Sequence, residues 1–113
     1  MEILRKPIDR AQLAEFARAG FGDMINAVVD CTREIMVVGG ELHADGEHLT
    51  LEDGSSQRDL WGLNLYPGET SEEWIEFDSM INLRPAQGNR TRGVDDPALR
   101  ARIREVVQSL ITP

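Results

Sequence analysis

The sequence predicts an α+β fold: an antiparallel sheet of about four strands in a meander, with an N-terminal helix and a C-terminal helix packed on it. Three observations predict it. A capped, amphipathic segment stands at each end of the chain. Between them the apolar residues recur at every second position and are separated by turn residues. The 113 residues, 41% hydrophobic and 28% charged, have the size and composition of one ordinary globular domain, residues 1–113.

The first helix opens at Asp9, a good N-cap, with Gln12 three positions later completing a capping-box pattern. Ile8 and Leu13 are spaced as a hydrophobic staple, Leu13, Phe16 and Ala17 form an apolar stripe, and Gly20 marks the end. Residues 27–30 and 35–38, rich in branched side chains and separated by a short polar stretch, read as a hairpin or as one longer bent strand. Residues 48–52 alternate as far as Asp53-Gly54-Ser55, either as a strand or as a short helical turn. Residues 60–66 place Trp61, Leu63 and Leu65 on one side and end at Pro67-Gly68. Residues 74–83 give the clearest strand pattern, with Ile75, Phe77, Ile81 and Leu83 opposite Glu76, Asp78, Asn82 and Arg84. Residues 84–95 read as a turn-rich loop. The last helix begins at Asp96-Pro97, an N-cap followed by proline at the first helical position. Leu99, Ile103, Val106, Val107, Leu110 and Ile111 then form one broad apolar face.

Charge is unevenly distributed. Of the net −8, residues 41–78 carry one basic and eleven acidic groups, whereas residues 79–113 carry six arginines against three acids. An acidic middle repels polyanions, which disfavours generic nucleic-acid binding. The arginine-rich end either pairs with that middle internally or offers a local anion site. No apolar run approaches the roughly 18–20 residues that cross a bilayer, so no membrane is expected as a partner, and residues 1–7 lack a signal-peptide core. A lone cysteine, Cys31, excludes an internal disulfide and multi-cysteine zinc sites, and a cytoplasmic setting is the expectation. Asp30 and Glu34 beside it disfavour a nucleophilic thiolate. Trp61 and Trp74 read as core or edge aromatics.

Residues 39–47, Gly-Gly-Glu-Leu-His-Ala-Asp-Gly-Glu, are the most chemically suggestive stretch. If extended, they place Glu41, His43 and Asp45 on one strand face. Nitrogen and carboxylate donors of this kind suit zinc, manganese or iron, so a divalent metal on these three residues is one expectation, with further ligands from a strand carrying Glu76 or Asp78. Without a metal, His43 with Asp45 and Arg84 could work as an acid–base site. The same residues serve equally as a solvated strand face beside a turn. The loop from Arg84 to Gly93 combines three arginines, two amides and two glycines without an acid. Arginine forks suit carboxylate or phosphate, making Arg84, Asn89, Arg90 and Arg92 candidate ligands for a small anion. These arginines could equally neutralise the acidic middle. A shared site requires residues 41–45 to lie beside residues 76–84.

Three segments, Gly39-Gly40-Glu41-Leu42-His43-Ala44-Asp45, residues 59–67 (DLWGLNLYP) and residues 76–85 (EFDSMINLRP) running on through Gly88-Asn89-Arg90 and Arg92, together resemble a family of small prokaryotic proteins described as a domain of unknown function. The resemblance covers nearly the whole chain. It implies a compact bacterial or archaeal protein and brings no activity, cofactor or catalytic residue with it.

The leading functional expectation is a binding or interaction module that holds a small anionic ligand or a protein partner through the polar sheet face and the arginine loop. Two alternatives stand beside it: a small hydrolase or lyase, with or without a metal, centred on His43, and one half of a toxin–antitoxin-type pair whose acidic surface meets a basic partner. A homo-oligomer stays open.

Overall fold

The computed structural model describes residues 1–113 and contains three helices and a five-stranded sheet. Strands β1 (Glu2–Leu4), β3 (Ile25–Asp30), β4 (Ile35–Val38), β5 (Leu60–Leu65) and β6 (Ile75–Glu76) form one antiparallel sheet in the order β1-β4-β3-β5-β6. Two short strands, β2 (Ile8–Asp9) and β7 (Ile111–Thr112), pair in parallel and tie the two ends of the chain together. The helices are α1 (Arg10–Arg18), α2 (His43–Glu52) and α3 (Pro97–Leu110).

The end helices follow from local signals. Asp9 Oδ1 accepts from the Gln12 amide at 2.8 Å and Gln12 Oε1 accepts from the Asp9 amide at 3.0 Å, which satisfies two of the donors a helix start leaves open. Asp96 Oδ1 accepts from the Ala98 amide at 2.9 Å, and Pro97 occupies the first turn where its missing N–H costs nothing. Leu13 and Ala17 of α1, with Ile103, Val106, Val107 and Leu110 of α3, pack on Ile25, Ala27, Val29, Met36, Val38, Trp61, Leu63 and Leu65, so the core lies on one face of the sheet.

The other face has a different character. The sheet residues that point there include Asn26, Val28, Asp30, Val37, Leu60, Gly62 and Asn64, and α2 covers them. A Cβ on Gly46 would lie 3.0 Å from Val28 Cγ2 and 3.4 Å from Val37 Cγ1, so glycine sets how closely α2 approaches the sheet. The helix buries Gly46 and Thr50 and leaves Leu42 and Leu51 exposed. That inverted pattern hid the helix from the sequence: residues 48–52, read as a strand or a helical turn, form the C-terminal half of α2. With α2 here, Glu41, His43 and Asp45 do not lie on a strand face. Two further corrections concern topology. The link from β4 through α2 to β5 crosses over β3, so the strands are not a plain meander. The strand expected over residues 74–83 is limited to Ile75–Glu76 and gives way to a 3₁₀ turn at Met80–Asn82.

That turn replaces a strand by a side chain. Gly62 of β5 donates its N–H to Asn82 Oδ1 at 2.8 Å, and Asn82 Nδ2 donates to Gly62 O at 3.0 Å and to Arg92 O at 3.0 Å. One buried amide thus satisfies the edge of β5 where β6 has ended. The approach is tight enough that a Cβ on Gly62 would fall 2.5 Å from Ser79 Oγ. Further along the same edge, Arg84 donates to Gln57 O and Leu60 O, each at 2.6 Å, with its guanidinium 4.0 Å from the centre of the Trp61 ring. Arg10 makes a similar clamp at the other tryptophan, donating to Glu69 O at 2.7 Å with its guanidinium 3.9 Å from the Trp74 ring centre. Planar guanidinium both stacks and forks, which is why arginine performs this task. No helix is long and apolar enough to cross a membrane.

Candidate functional site on the covered polar face

The site residues expected from the sequence are placed as follows. Glu41 is exposed in the approach to α2. Asp45 is exposed and uses Oδ2 to accept the Leu42 amide at 3.1 Å, which fastens the helix start. His43 is half-buried one turn before Glu47, with Nε2 2.7 Å from Leu63 O. A carbonyl accepts only, so Nε2 carries the proton and Nδ1 is the free acceptor in the neutral ring. Residues two apart on a helix point to nearly opposite sides, so α2 turns Asp45 away from His43. No group of three or more His, Cys, Asp and Glu side chains is gathered as for a metal ion.

The arginine loop is knitted to itself. Asn89 is buried; its Nδ2 donates to Asn82 O, Thr91 O and Gly93 O at 2.7, 3.1 and 2.8 Å, and its Oδ1 accepts the Asp95 amide at 2.8 Å. Arg92 pairs with Asp78 at 2.8 Å. Asp95 accepts from the Arg90 amide at 2.7 Å and from the Thr91 hydroxyl, and those bonds hold its carboxyl below the usual range. The Arg90 guanidinium has no partner. Most of the six C-terminal arginines therefore serve main-chain carbonyls rather than the acidic middle: besides Arg84, Arg100 donates to Val94 O, Arg102 to Cys31 O and Arg104 to Glu72 O.

α2, which carries His43 and Asp45 in its first turn, packs as an element against β5 and the Met80–Asn82 turn. What the seam brings together is His43 and Glu47, one helical turn apart on α2, with the Glu47 carboxylate acting on Arg84; Asn64 lies four residues along β5 from Leu60, where Arg84 is held. Asn64 Nδ2 donates to Glu76 Oε1 at 2.8 Å and to Asp78 O at 3.3 Å, and Tyr66 completes the group through its hydroxyl, 3.4 Å from the same Glu76 oxygen. In the whole molecule three side-chain atoms are buried without any partner: Glu47 Oε2, Asn64 Oδ1 and Arg84 Nε. Burial lowers the Arg84 pKa and the Glu47 carboxylate pushes it back up, so the two charges feel each other across the seam. Leaving a buried donor or acceptor unpaired costs about 1–3 kcal/mol. Glu47 Oε2 and Arg84 Nε, an acceptor and a donor on two charged groups that act on each other, mark the strongest candidate for holding a polar guest. Glu47 lay inside the stretch singled out from the sequence but was given no role there, and Asn64 was missed. The signal available was the i, i+4 spacing of His43 and Glu47, which becomes visible only once the segment is known to be helical.

The molecule is thus an α+β protein whose antiparallel sheet has one apolar face and one helix-covered polar face. Residues 2–110 match the family described as "Protein of unknown function (DUF5674)", and the chain belongs to that family. No curated protein and no solved structure matches it.

Proposed function

We propose that the protein is a binding module, and that its ligand lies in the seam between α2 and the 76–84 segment. The observation that carries this reading is the pair of buried, unpartnered atoms Glu47 Oε2 and Arg84 Nε, on charges that act on each other. Their chemistry describes the ligand: an anionic or carbonyl acceptor for the Arg84 N–H, and an N–H donor for Glu47. A small molecule with both, such as a free amino acid or a carboxylic acid amide, meets this demand. His43, fixed by Leu63 O, adds Nδ1 as a further acceptor. The arginine loop contributes Arg84 directly, and its other residues keep the 79–94 segment in place behind it.

The test is thermal unfolding against a panel of free amino acids and small amides. A ligand that binds the folded state alone stabilises by about 2.7 kcal/mol at a hundredfold excess over Kd. One or more members should raise Tm, and Glu47→Gln and Arg84→Lys should each abolish the rise while leaving the ligand-free protein folded. A flat response across the panel, or a rise that persists in both variants, overturns the reading.

A further inference from the structure

A second feature, which borders the α2 seam at Tyr66 and Glu76, has the form of a docking surface. An open groove of about 820 Å³ runs between the C-terminal part of α1, the turn at Tyr66–Glu69, the Glu72–Glu76 segment and Arg104 of α3. Ala17 and Ile75, both buried, form its floor with Ala14. Asp23, Glu69, Glu72, Glu73 and Glu76 supply five carboxylates around that apolar floor.

The basic groups that line the groove do not neutralise it. Arg18 is paired with Glu15 outside the lining, and Arg104 donates to Glu72 O at 3.2 Å while lying 5.0 Å from the centre of the Phe77 ring. None of the five carboxylates takes part in an ion pair. Glu69 is occupied by the Thr70 and Ser71 amides, and Glu76 by Asn64 and Tyr66. Asp23, Glu72 and Glu73 are exposed and free. Beside Asp23, in the same loop, Phe21 is 54% exposed, an apolar group with no core to serve.

We propose that this groove docks a basic segment of a partner protein, one in which lysines or arginines alternate with an apolar residue. The apolar floor and Phe21 would receive the apolar residue, and the free carboxylates would receive the cations. Charge complementarity selects the occupant: an unneutralised negative rim steers a cationic partner in and rejects an acidic one. The carboxylates are spread along three separate stretches of chain and the groove is open to solvent, which suits an extended segment better than a compact cation.

The test uses the whole protein and a short fluorescein-labelled peptide of lysines interspersed with leucine, followed by fluorescence anisotropy. Asp23→Asn/Glu72→Gln/Glu73→Gln should weaken binding at least tenfold. A control with the same change in net charge but remote from the groove, Glu2→Gln/Glu41→Gln/Glu52→Gln, should change it less than twofold. Phe21→Ser should weaken it about threefold, a readout that charge alone does not move. Equal losses in the two triple variants overturn the proposal, because the protein then acts as a generic polyanion. Failure of the unaltered protein to bind the peptide overturns it too, as does displacement by spermine at the same charge concentration. Glu76 and Tyr66 border both places, so the variants leave both residues unchanged and the peptide measurement reads the groove alone.

Discussion

Replacing Asn82 by alanine removes the amide that finishes the edge of β5. The side chain is fully buried and makes three hydrogen bonds, at 2.8, 3.0 and 3.0 Å, two of them to the N–H and C=O of a single strand residue, Gly62. A net hydrogen bond contributes about 0.5–1.5 kcal/mol, and a buried group left unpaired costs more. The expected loss is therefore about 3 kcal/mol, a large share of the roughly 5–15 kcal/mol that holds a domain together. For a chain of this length that corresponds to a Tm drop of about 12 °C. Asn82→Asp keeps the acceptor, loses both donated bonds and sets a buried charge against two carbonyls, so it should fall at least as far. Urea unfolding followed by tryptophan fluorescence measures both, since Trp61 lies next to Gly62 in the strand. A loss below about 1 kcal/mol for Asn82→Ala would refute the idea that a side chain stands in for a strand here.

Two other predictions concern titration. Asp53 is held below the usual carboxylate range by hydrogen bonds from Arg5 and Arg33, Glu69 by the Ser71 and Thr70 amides, and Asp95 by Thr91 and the Arg90 amide. Folded pKa values depressed in this way give stability that is complete above about pH 4–5 and is lost as pH falls through the folded values; urea midpoints that stay level between pH 5 and pH 2 would contradict it. Burial pushes the Cys31 thiol up to about 11, so it is a neutral thiol at physiological pH. Iodoacetamide modification of the folded protein should inflect near that value rather than near the ordinary 8.5 or so, and stability should decline as pH rises above the unfolded thiol's pKa towards about 11. An inflection near 8.5 would mean that the thiol is solvated.

The two end helices were legible because their signals are local: Asp9 with Gln12, and Asp96 with Pro97, act within one turn of chain. Residues 27–30 and 35–38 were legible as strands because they are rich in branched residues; that they pair as a hairpin rather than run on as one bent strand was settled by the fold. α2 was not legible, since a helix that buries Gly46 and Thr50 and exposes Leu42 and Leu51 has no apolar stripe to read. Residues 74–83 misled in the opposite sense. Their alternation is real, but Asn82 makes its ladder bonds through a side chain, and alternation cannot distinguish the two.

The candidate site divides along the same line. Composition and spacing alone determined the α+β class, the acidic middle and the arginine-rich end, and singled out residues 41–47 and 84–92 as candidates. Tertiary structure alone decided which of those groups are already in use. Asp45 caps its own helix, Asn89 ties its own loop and Arg84 grips β5, while Glu47 and Asn64 keep buried atoms unpaired. The reason is physical: residue type determines what a side chain can bond, but only the folded chain determines which partners are within reach and whether water can still supply the rest.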